Sequence, residues 1–310
     1  MSLHHVTIRQ LRGFEATART GSVTAAGQEL GLTPSAVSLQ LKQLEQLAGM
    51  PLLERGADGF RPTDAGRELL HAAALIELAI ADCDERLDAM RGIERGTVRV
   101  GVVSTAKYFA PQALAAFLKK HPTVEMQLIV GNRGETIEAM ADLQADFAVM
   151  GRPPRDIEVE QTIIGPHPHV IIAPPDHPLA GRRAIAMAAL AAETFLVRES
   201  GSGTRLLMER LLETAGITPR KGAEMGSNET IKQAVIAGLG IALISAHTVS
   251  TEVADGRLAV LDVVGLPIIR QWYVVRLAEK RLSPAAQALW DFLAGSGAGF
   301  LPQLERPATE

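Results

Sequence analysis

The chain has 310 residues, of which 47% are hydrophobic, so it can bury the cores of two or three domains and is not a disordered chain. Its formal net charge of −4 provides no general attraction to nucleic acid. No apolar run approaches the length of a membrane span, and no apolar block follows His4, His5 and Arg9, so we expect a cytoplasmic protein without a signal peptide. The single cysteine, Cys83, excludes an internal disulfide and a thiolate metal cluster.

Three short helices are predicted near the N-terminus. Apolar residues at helical spacing indicate a first helix within residues 6–19, and a serine cap begins a second helix over 23–30. After a glycine-containing turn, Thr33 can cap a third helix that begins at Pro34 and reaches about Ala48. The order helix, turn, helix is typical of a DNA-binding helix-turn-helix.

The third helix carries a polar stripe, formed by Ser35, Ser38 and Lys42 together with Leu39, that we expect to face outwards. Small hydroxyl side chains at the start of a helix allow close approach to a duplex, where they can donate to phosphates or base edges. The helix N-terminus also attracts phosphate. An ordinary solvated helix face is the alternative for this stripe taken alone.

Residues 51–63 alternate short apolar runs with turn residues, which predicts a small hairpin beside the third helix, with Arg55 and Arg61 at its base. The motifs over this region are Arg9-Gln10-Leu11, Gly21-Ser22-Val23-Thr24-Ala25-Ala26, Leu32-Thr33-Pro34-Ser35-Ala36-Val37-Ser38, Leu53-Glu54-Arg55 and Pro62-Thr63-Asp64-Ala65-Gly66. In this order they resemble the winged helix-turn-helix of LysR-type bacterial transcriptional regulators.

The resemblance implies that residues 1–62 bind double-stranded promoter DNA. The residues expected to contact DNA are Thr33, Pro34, Ser35, Ser38, Lys42, Arg55 and Arg61. The chain departs from the family at one position: Ser38-Leu39-Gln40 stands where the family commonly has Ser-Arg-Gln. The base contact made there by an arginine is therefore in doubt.

A long helix is predicted from about Ala65 or Gly66 to Arg91, roughly 40 Å in length. Apolar residues recur along it at alternating spacings of four and three, namely Leu69, Ala73, Ile76, Ile80, Cys83, Leu87 and Met90. Such a seam favours the pairing of two subunits, parallel or antiparallel, although packing against the chain's own domains is the alternative. A dimer would carry two recognition helices to the two half-sites of a pseudo-palindrome.

Beyond residue 96, strands alternate with helices in the order of a parallel βαβαβ unit, a second such series follows, and the chain then returns through a last strand and helix. We therefore predict a multidomain fold: an all-α winged helix-turn-helix and a long linker helix, followed by an α/β two-lobed domain similar to the periplasmic-binding-protein-like effector domain of the same family. The expected boundaries are 1–62 for the DNA-binding domain, 63–92 for the linker helix, 93–96 for a hinge, 97–164 with 267–296 for lobe I, 165–266 for lobe II and 297–310 for a tail.

Ligands of parallel sheets bind beyond the carboxyl ends of the strands. The candidate residues at these ends are Ser104, Thr105, Asn132, Arg133, Arg152, Pro153, Arg198, Ser200, Gly201, Ser202, Gly203, Thr204, Arg205 and Asn228. The loop over 198–205 precedes a helix and offers bare N–H groups and hydroxyls between two guanidinium groups, which predicts a cradle for phosphate or carboxylate. A flexible surface loop is the alternative. With Arg133 and Arg152 opposite, up to four cations could face one polyanionic effector.

The loops at 131–133, 146–154 and 198–205 are similar to those of the CbbR subfamily, which regulates Calvin-cycle carbon-fixation operons. The resemblance implies a phosphorylated metabolite or NADPH as the effector, ribulose-bisphosphate carboxylase genes as targets, no cofactor, a homotetramer, and RNA polymerase as a further partner. A LysR-type regulator of another operon, with a carboxylate effector, is the alternative. The effector is expected to close the lobes about crossing strands near Ile163-Ile164 and Leu266-Pro267.

Other classes of protein explain less of the sequence. An enzyme would need a nucleophile with a base, or a metal cluster, whereas His167 and His169 lie two apart without a third ligand and are expected on the surface or at the cleft rim. A solute-binding protein would explain two lobes but not residues 1–93. We therefore expect neither catalysis nor a bound metal.

Overall fold

The computed structural model describes residues 3–90 and 96–303, without the side chains of residues 85, 89 and 90. It consists of two units, Met1–Asp84 and Glu85–Glu310, which are taken in turn. In the described part of the chain, no helix has both the length and the apolar character that crossing a membrane requires. The predicted hinge at 93–96 lies outside the described residues except for Gly96, which begins a strand.

The first unit contains the predicted helix-turn-helix and hairpin, which are thereby confirmed. Its elements are α1 (Ile8–Thr20), α2 (Val23–Leu30), α3 (Pro34–Ala48), β1 (Leu53–Gly56), β2 (Gly59–Pro62) and α4 (Asp64–Met90). Thr7, Ser22 and Thr33 cap the first three helices by accepting hydrogen bonds from backbone N–H groups. The two strands pair antiparallel through a tight turn that closes at Gly56 and Gly59. The capping residues explain why local sequence predicts these helix starts so closely.

The core of this unit corrects one prediction about α4. Phe14, Val37 and Leu44 are fully buried, and the same cluster includes Leu69 and Ala73 from the first turns of α4. These two residues therefore pack within their own domain and do not belong to a free seam between subunits.

The rest of the predicted seam is more open. Ile76 is 40% exposed, Leu87 is 44% exposed, Cys83 is exposed and Ile80 is partly buried. The side chain of Met90 lies outside the described part of the helix. A surface for a partner helix therefore begins at Ile76, later than the apolar spacing alone suggests.

The second unit has a mixed sheet that extends through two lobes. The elements of lobe I are β3 (Gly96–Val103), α5 (Ala110–Lys120), β4 (Val124–Gly131), α6 (Arg133–Ala141), β5 (Phe147–Met150) and α10 (Pro284–Ser296). Strands β4 and β5 flank β3 in parallel, as the predicted βαβαβ order requires. A short 3-10 helix at Gly297–Phe300 follows α10, and Phe300 and Leu301 pack against the lobe I core, so lobe I continues beyond the expected end at residue 296.

Two long strands connect the lobes. They are β6 (Val159–Ala173) and β11 (Ile268–Leu277), which pair antiparallel and continue the sheet of lobe I in the order β6-β11-β5-β3-β4. The elements of lobe II are β7 (Thr194–Arg198), α7 (Gly203–Thr214), β8 (Arg220–Met225), α8 (Asn228–Ile236), β9 (Ala242–Ser245), α9 (Ser250–Ala254) and β10 (Ala259–Leu261). The first five residues of β6 are exposed or partly buried, whereas its last five, His169 to Ala173, are all buried.

The side chains of β6 explain how lobe II forms two cores on one strand. Ile171 belongs to a cluster with Phe195 and Leu243, whereas its neighbour Ile172 belongs to another cluster with Ile244. Successive side chains of a strand point to opposite faces of the sheet, so both faces of β6 are buried. This is the pattern of a central strand covered by helices on both sides.

We expect Gly66→Ala to destabilise the first unit. A Cβ atom at Gly66 would lie 2.1 Å from the carbonyl oxygen of Leu52, a backbone atom that cannot move aside cheaply. Overpacking of this kind costs about 1–3 kcal/mol. Promoter binding and thermal unfolding followed by circular dichroism would measure the loss.

Gly295→Ala is the matched control, because Gly295 lies in α10 and a Cβ atom there meets nothing within 4 Å. We expect it to be neutral or to stabilise by up to about 1 kcal/mol, the difference in helix propensity. Equal behaviour of the two variants would contradict the close packing of α4 on the wing.

Candidate effector pocket and DNA-binding surface

A narrow pocket, here called the effector pocket, lies at the carboxyl ends of β3, β4, β5 and β7. Its cavity volume of about 30 Å³ holds only a few water molecules, so a ligand must widen it on entry. Its lining residues are Val103, Ser104, Thr105, Asn132, Arg133, Met150, Gly151, Arg152, His167, His169, Arg198, Ser202, Gly203, Thr204 and Arg270. The location agrees with the general rule for ligands of α/β sheets.

Positive charge at the effector pocket exceeds negative charge. The guanidinium of Arg133 donates to the backbone carbonyls of Arg152 at 3.0 Å and Pro153 at 3.3 Å, and to no carboxylate in the described parts of the chain. Burial, followed by the charge of Arg152, lowers the pKa of Arg133. Burial and the charges of Arg152 and Arg210 likewise lower the pKa of Arg270. Uncompensated guanidinium groups at a partly buried site favour an anionic ligand.

Arg198 has a different role, because its charge is already paired. It is almost fully buried, and its Nε donates to Glu199 at 2.6 Å. Its remaining donors reach Asn228 of lobe II and the hydroxyl of Ser104 of lobe I, the latter at 3.3 Å. Arg198 thus joins the two lobes at the pocket.

Two helices begin at the effector pocket. Asn132 caps α6 by a capping box with Glu135, and Ser202 caps α7 by accepting from the backbone N–H of Arg205. Thr204, in the first turn of α7, is buried and lines the pocket. Helix N-termini carry partial positive charge and bare N–H groups, which adds to the attraction for an anion.

A cluster of aromatic and histidine rings forms the floor of the pocket. The ring of His167 stacks on Trp272 with centroids 3.8 Å apart, and its Nε2 lies 2.9 Å from the hydroxyl of Ser245. The Nδ1 of His167 is buried without a hydrogen-bond partner among the described residues. Trp272 donates its Nε1 proton to His247.

The expectation that His167 and His169 lie on the surface or at the cleft rim is therefore wrong. Both are buried, at 4% and 2% exposure, and both line the pocket. Burial lowers the pKa of His167 well below its usual value, lowers that of His169 to about 3 and lowers that of His247 to about 4. All three rings are neutral at pH 7.

The structure brings most of the predicted effector residues together. Those that line the pocket are Ser104, Thr105, Asn132, Arg133, Arg152, Arg198, Ser202, Gly203 and Thr204, whereas Pro153, Ser200, Gly201, Arg205 and Asn228 do not. The prediction that Arg205 belongs to the anion cradle is contradicted most clearly, since its guanidinium pairs with Glu209 at 3.0 Å and with Glu224 at 2.6 Å. Asn228 lies behind Arg198 and orients it.

Arg270 is the cationic residue of the pocket that sequence reasoning missed. It lies on β11, more than 60 residues after the loop at 198–205, and β11 reaches the pocket only because it pairs with β6. Local sequence around Arg270 contains no glycine-rich or hydroxyl-rich motif that would have identified it.

The recognition helix α3 presents an exposed face in the first unit. Ser35, Ser38 and Lys42 are exposed, and Leu39 is 57% exposed. Thr33 caps the helix, with its hydroxyl 3.0 Å from that of Ser35. These hydroxyls lie at the N-terminal end of the helix, where a phosphate or a base edge can be bound.

The basic residues of the hairpin differ from each other. Arg55 and Arg61 are both exposed on the two-stranded hairpin. Arg61, however, forms an ion pair with Asp58 at 2.7 Å, which offsets part of its charge. Arg55 is therefore the stronger candidate for contact with the DNA backbone.

A winged helix-turn-helix followed by a long helix, together with a two-lobed α/β domain that holds a cationic pocket, defines the class of ligand-responsive DNA-binding regulators. A sequence model of the "LysR substrate binding domain" matches residues 91–298, and a model of the "Bacterial regulatory helix-turn-helix protein, lysR family" matches residues 8–67. The chain belongs to the LysR family of bacterial transcriptional regulators.

Among similar proteins is the HTH-type transcriptional regulator CbbR of Xanthobacter flavus, 55% identical over 97% of this chain and 91% of that protein. A RuBisCO operon transcriptional regulator of Allochromatium vinosum is 46% identical over 95% of this chain and 97% of that protein. The regulatory domain of CcmR from Synechocystis PCC6803, solved in complex with 2-PG, is 41% identical, with a TM-score of 0.63 over 64% of this chain and 96% of that one. The names of these relatives support the expectation that the chain is not an enzyme.

We expect the second unit to lose stability on acidification. In the folded state the pKa values of His167, His169 and His247 lie below the ordinary value of 6.5, mainly because of burial. Their contribution is therefore complete above about pH 6.5 and is lost as the pH falls towards the folded-state values. The free energy of unfolding should fall by about 1 kcal/mol per histidine between pH 7 and pH 5.5.

Urea unfolding followed by tryptophan fluorescence measures this loss in the second unit, because both tryptophans, Trp272 and Trp290, lie there. His169→Gln should reduce the pH dependence of the free energy of unfolding. His71→Gln, at an exposed position of the first unit, should leave this pH dependence unchanged. A stability that stays constant from pH 7 to pH 5.5 would show that the rings are not buried in the neutral form.

Proposed function

We propose that this regulator controls a RuBisCO or related carbon-fixation operon in response to a small phosphorylated carboxylic acid that binds in the effector pocket. The observation that carries the proposal is the set of three guanidinium groups, those of Arg133, Arg152 and Arg270, at a narrow pocket where two helices begin. Among the described residues, none of the three pairs with a carboxylate. The names of the relatives support the choice of operon, and the 2-PG complex of the Synechocystis neighbour supports the choice of ligand.

The pocket offers different donors to the two ends of such an acid. The N-terminus of α7, with the hydroxyl of Thr204, suits a phosphate, because bare N–H groups and a hydroxyl can each donate to one of its oxygens. Arg270 and Arg152 provide planar pairs of donors that suit a carboxylate. Met150 and the neutral ring of His167 add uncharged surface to the same pocket.

Closure of the lobes links ligand binding to the rest of the protein. Near Arg198 the lobes already touch, since the hydroxyl of Tyr108 in lobe I donates to Glu229 in lobe II and Lys107 lies 3.8 Å from the same carboxylate. A ligand that binds both lobes stabilises one arrangement of these contacts over another and so shifts the population. The predicted pivots at Ile163-Ile164 and Leu266-Pro267 lie on or beside the crossing strands β6 and β11.

We infer that the regulator works on promoter DNA in the cytoplasm as a dimer or as a tetramer made of two dimers, and that it also meets RNA polymerase there. The exposed apolar residues Ile76 and Leu87, with the partly buried Ile80, support pairing through the second half of α4. Paired α4 helices would present two recognition helices to two half-sites of an operator.

Removal of the hydroxyl of Thr204 should weaken effector binding. The probe is 2-phosphoglycolate, a two-carbon acid with one phosphate and one carboxylate, titrated into the full-length protein by calorimetry. We expect Thr204→Val to lower its affinity about tenfold, because a hydrogen bond to a charged group is lost. The same variant should need correspondingly more ligand to alter the footprint of the protein on a RuBisCO promoter.

Arg205→Ala is the matched control in the neighbouring position, since Arg205 is engaged by Glu209 and Glu224 outside the pocket. Its affinity for 2-phosphoglycolate should remain that of the wild type. If Arg205→Ala and not Thr204→Val reduced the affinity, the cradle expected from the loop sequence would be right and the effector pocket would be wrong. Binding of simple dicarboxylates in preference to phosphorylated acids would favour another metabolic operon.

The pairing of α4 is tested by Ile76→Glu combined with Ile80→Glu. Two like charges on an apolar seam should convert the protein to monomers and lower its promoter affinity about tenfold or more, because each monomer reaches a single half-site. His71→Glu with Ala81→Glu adds two carboxylates at exposed positions of the same helix outside the seam and should change neither property. Light scattering after gel filtration and a mobility-shift titration provide the readouts, and a double variant that remains dimeric would refute this interface.

A further inference from the structure

A large apolar side chain, that of Leu39, lies in the middle of the largely polar exposed face of α3. Leu39 is 57% exposed, and Ser35, Ser38 and Lys42 around it are exposed as well. Ser35 stands four residues before Leu39 and Lys42 three residues after it, so the three side chains share one face of the helix. Single apolar residues are ordinary on protein surfaces, but this one lies on the face of the helix that the proposed function assigns to DNA.

The core of the first unit fixes the direction in which Leu39 points. Val37 and Leu44 are fully buried and Leu41 is 8% exposed, so they hold one side of α3 against the rest of the domain. Successive residues of a helix are about 100° apart, which places Leu39 about 160° from both Val37 and Leu41 around the helix axis. Leu39 therefore points outwards whenever the domain is folded.

The amide side chains in the middle of α3 are directed elsewhere. The Oε1 atom of Gln40 is buried without a hydrogen-bond partner among the described residues, and it faces Gly13 of α1, where a Cβ atom would lie 2.8 Å from it. The Oε1 atom of Gln43 accepts from the Nε2 of Gln10 in α1 at 3.2 Å. Glutamine commonly recognises adenine, but in this arrangement both amides are directed at α1 and not at a base.

Thymine is the base whose edge suits an apolar side chain. In the major groove it presents a C5-methyl group beside its O4 acceptor. Leucine has no donor or acceptor, so against a polar base edge it would displace water without replacing the lost hydrogen bonds. Against a methyl group it removes apolar surface from water on both sides of the contact, which is favourable.

We propose that Leu39 recognises the 5-methyl group of a thymine in each operator half-site, while Ser35 and Ser38 bind the adjoining phosphates or base edges. The inference rests on the proposed function in one respect, that α3 lies in the major groove of promoter DNA. It goes beyond that function because it assigns a base to a residue. Each half-site should carry thymine at one fixed position, since α3 meets that position with an apolar side chain.

The test begins with the full-length protein and a pool of random duplexes, from which the preferred half-sites are selected. Each thymine of one selected half-site is then replaced in turn by deoxyuridine, which lacks the 5-methyl group and keeps the same hydrogen-bonding edge. At one position the wild type should lose about fourfold in affinity, the value of one buried methyl group. Fluorescence anisotropy titrations at one fixed salt concentration measure the affinities.

Three variants show whether Leu39 causes this discrimination. Leu39→Ala, whose side chain ends at Cβ, should bind the thymine and deoxyuridine duplexes equally, whereas Leu39→Met keeps an apolar side chain of similar reach and should keep the discrimination. Met50→Ala is the matched control, because Met50 is 52% exposed and lies beyond the C-terminal end of α3. It should discriminate as the wild type does. Unchanged thermal unfolding midpoints would confirm that the variants are folded.

The outcomes separate this proposal from the proposed function. A wild type that selects a sequence but binds deoxyuridine and thymine equally at every position would overturn this proposal alone. Discrimination that persists in Leu39→Ala would do the same, since another group would then contact the methyl. A wild type that selects no sequence from the pool would overturn both this proposal and the placement of α3 in the major groove. Titration with 2-phosphoglycolate tests the effector pocket separately.

Discussion

Strands β6 and β11 pair antiparallel from Val159 opposite Leu277 to His169 opposite Ile268, and the lobes of the second unit are joined along this ladder. On one side β11 continues the sheet into lobe I through β5, and on the other β6 carries β9 and β10 of lobe II. Because backbone hydrogen bonds fix the register of both strands, this pairing sets the positions of the residues that β6 and β11 contribute to the lobe boundary. His167, His169 and Arg270 all reach the effector pocket for this reason.

The same ladder explains the unusual electrostatics of the boundary. It places the neutral, buried rings of His167 and His169 next to the partly buried guanidinium of Arg270. The positive charge of the pocket therefore lies beside a floor that is uncharged. A protonated floor would repel the arginines, and burial prevents this by lowering the histidine pKa values. The stack of His167 on Trp272 keeps these rings in place between the core of lobe I and the pocket.

Sequence reasoning succeeds where local chemistry determines the structure. Thr33 and Pro34 mark the start of α3, and the hydroxyl-rich loop before α7 points to Ser202 and Thr204, both of which line the effector pocket. Sequence reasoning fails where the role of a residue depends on contacts with residues far away in the chain. The guanidinium of Arg205 looks equivalent to that of Arg198 in the sequence, but Glu224 on β8 removes it from the pocket.

The apolar seam of α4 shows that the spacing of apolar residues is also an incomplete guide to packing. A regular apolar spacing indicates which face of a helix is covered but not what covers it, and Leu69 and Ala73 are covered by the helix's own domain. The bidentate contact of Arg12 with Glu77 adds a polar connection between α1 and the same helix. Neither contact could be read from spacing along α4 alone.

Because the first turns of α4 are anchored in the DNA-binding core, the recognition helix α3 and the long helix α4 move together. Helix α4, Asp64 to Met90, is 27 residues or roughly 40 Å long. If a helix of this length tilts by about 10° about its C-terminal end, the DNA-binding domain at its N-terminal end moves by roughly 7 Å, about two base-pair steps at 3.4 Å each. In the proposed dimer, a small change of angle at a distant pivot would therefore become a change in the spacing of the two recognition helices that a promoter can register.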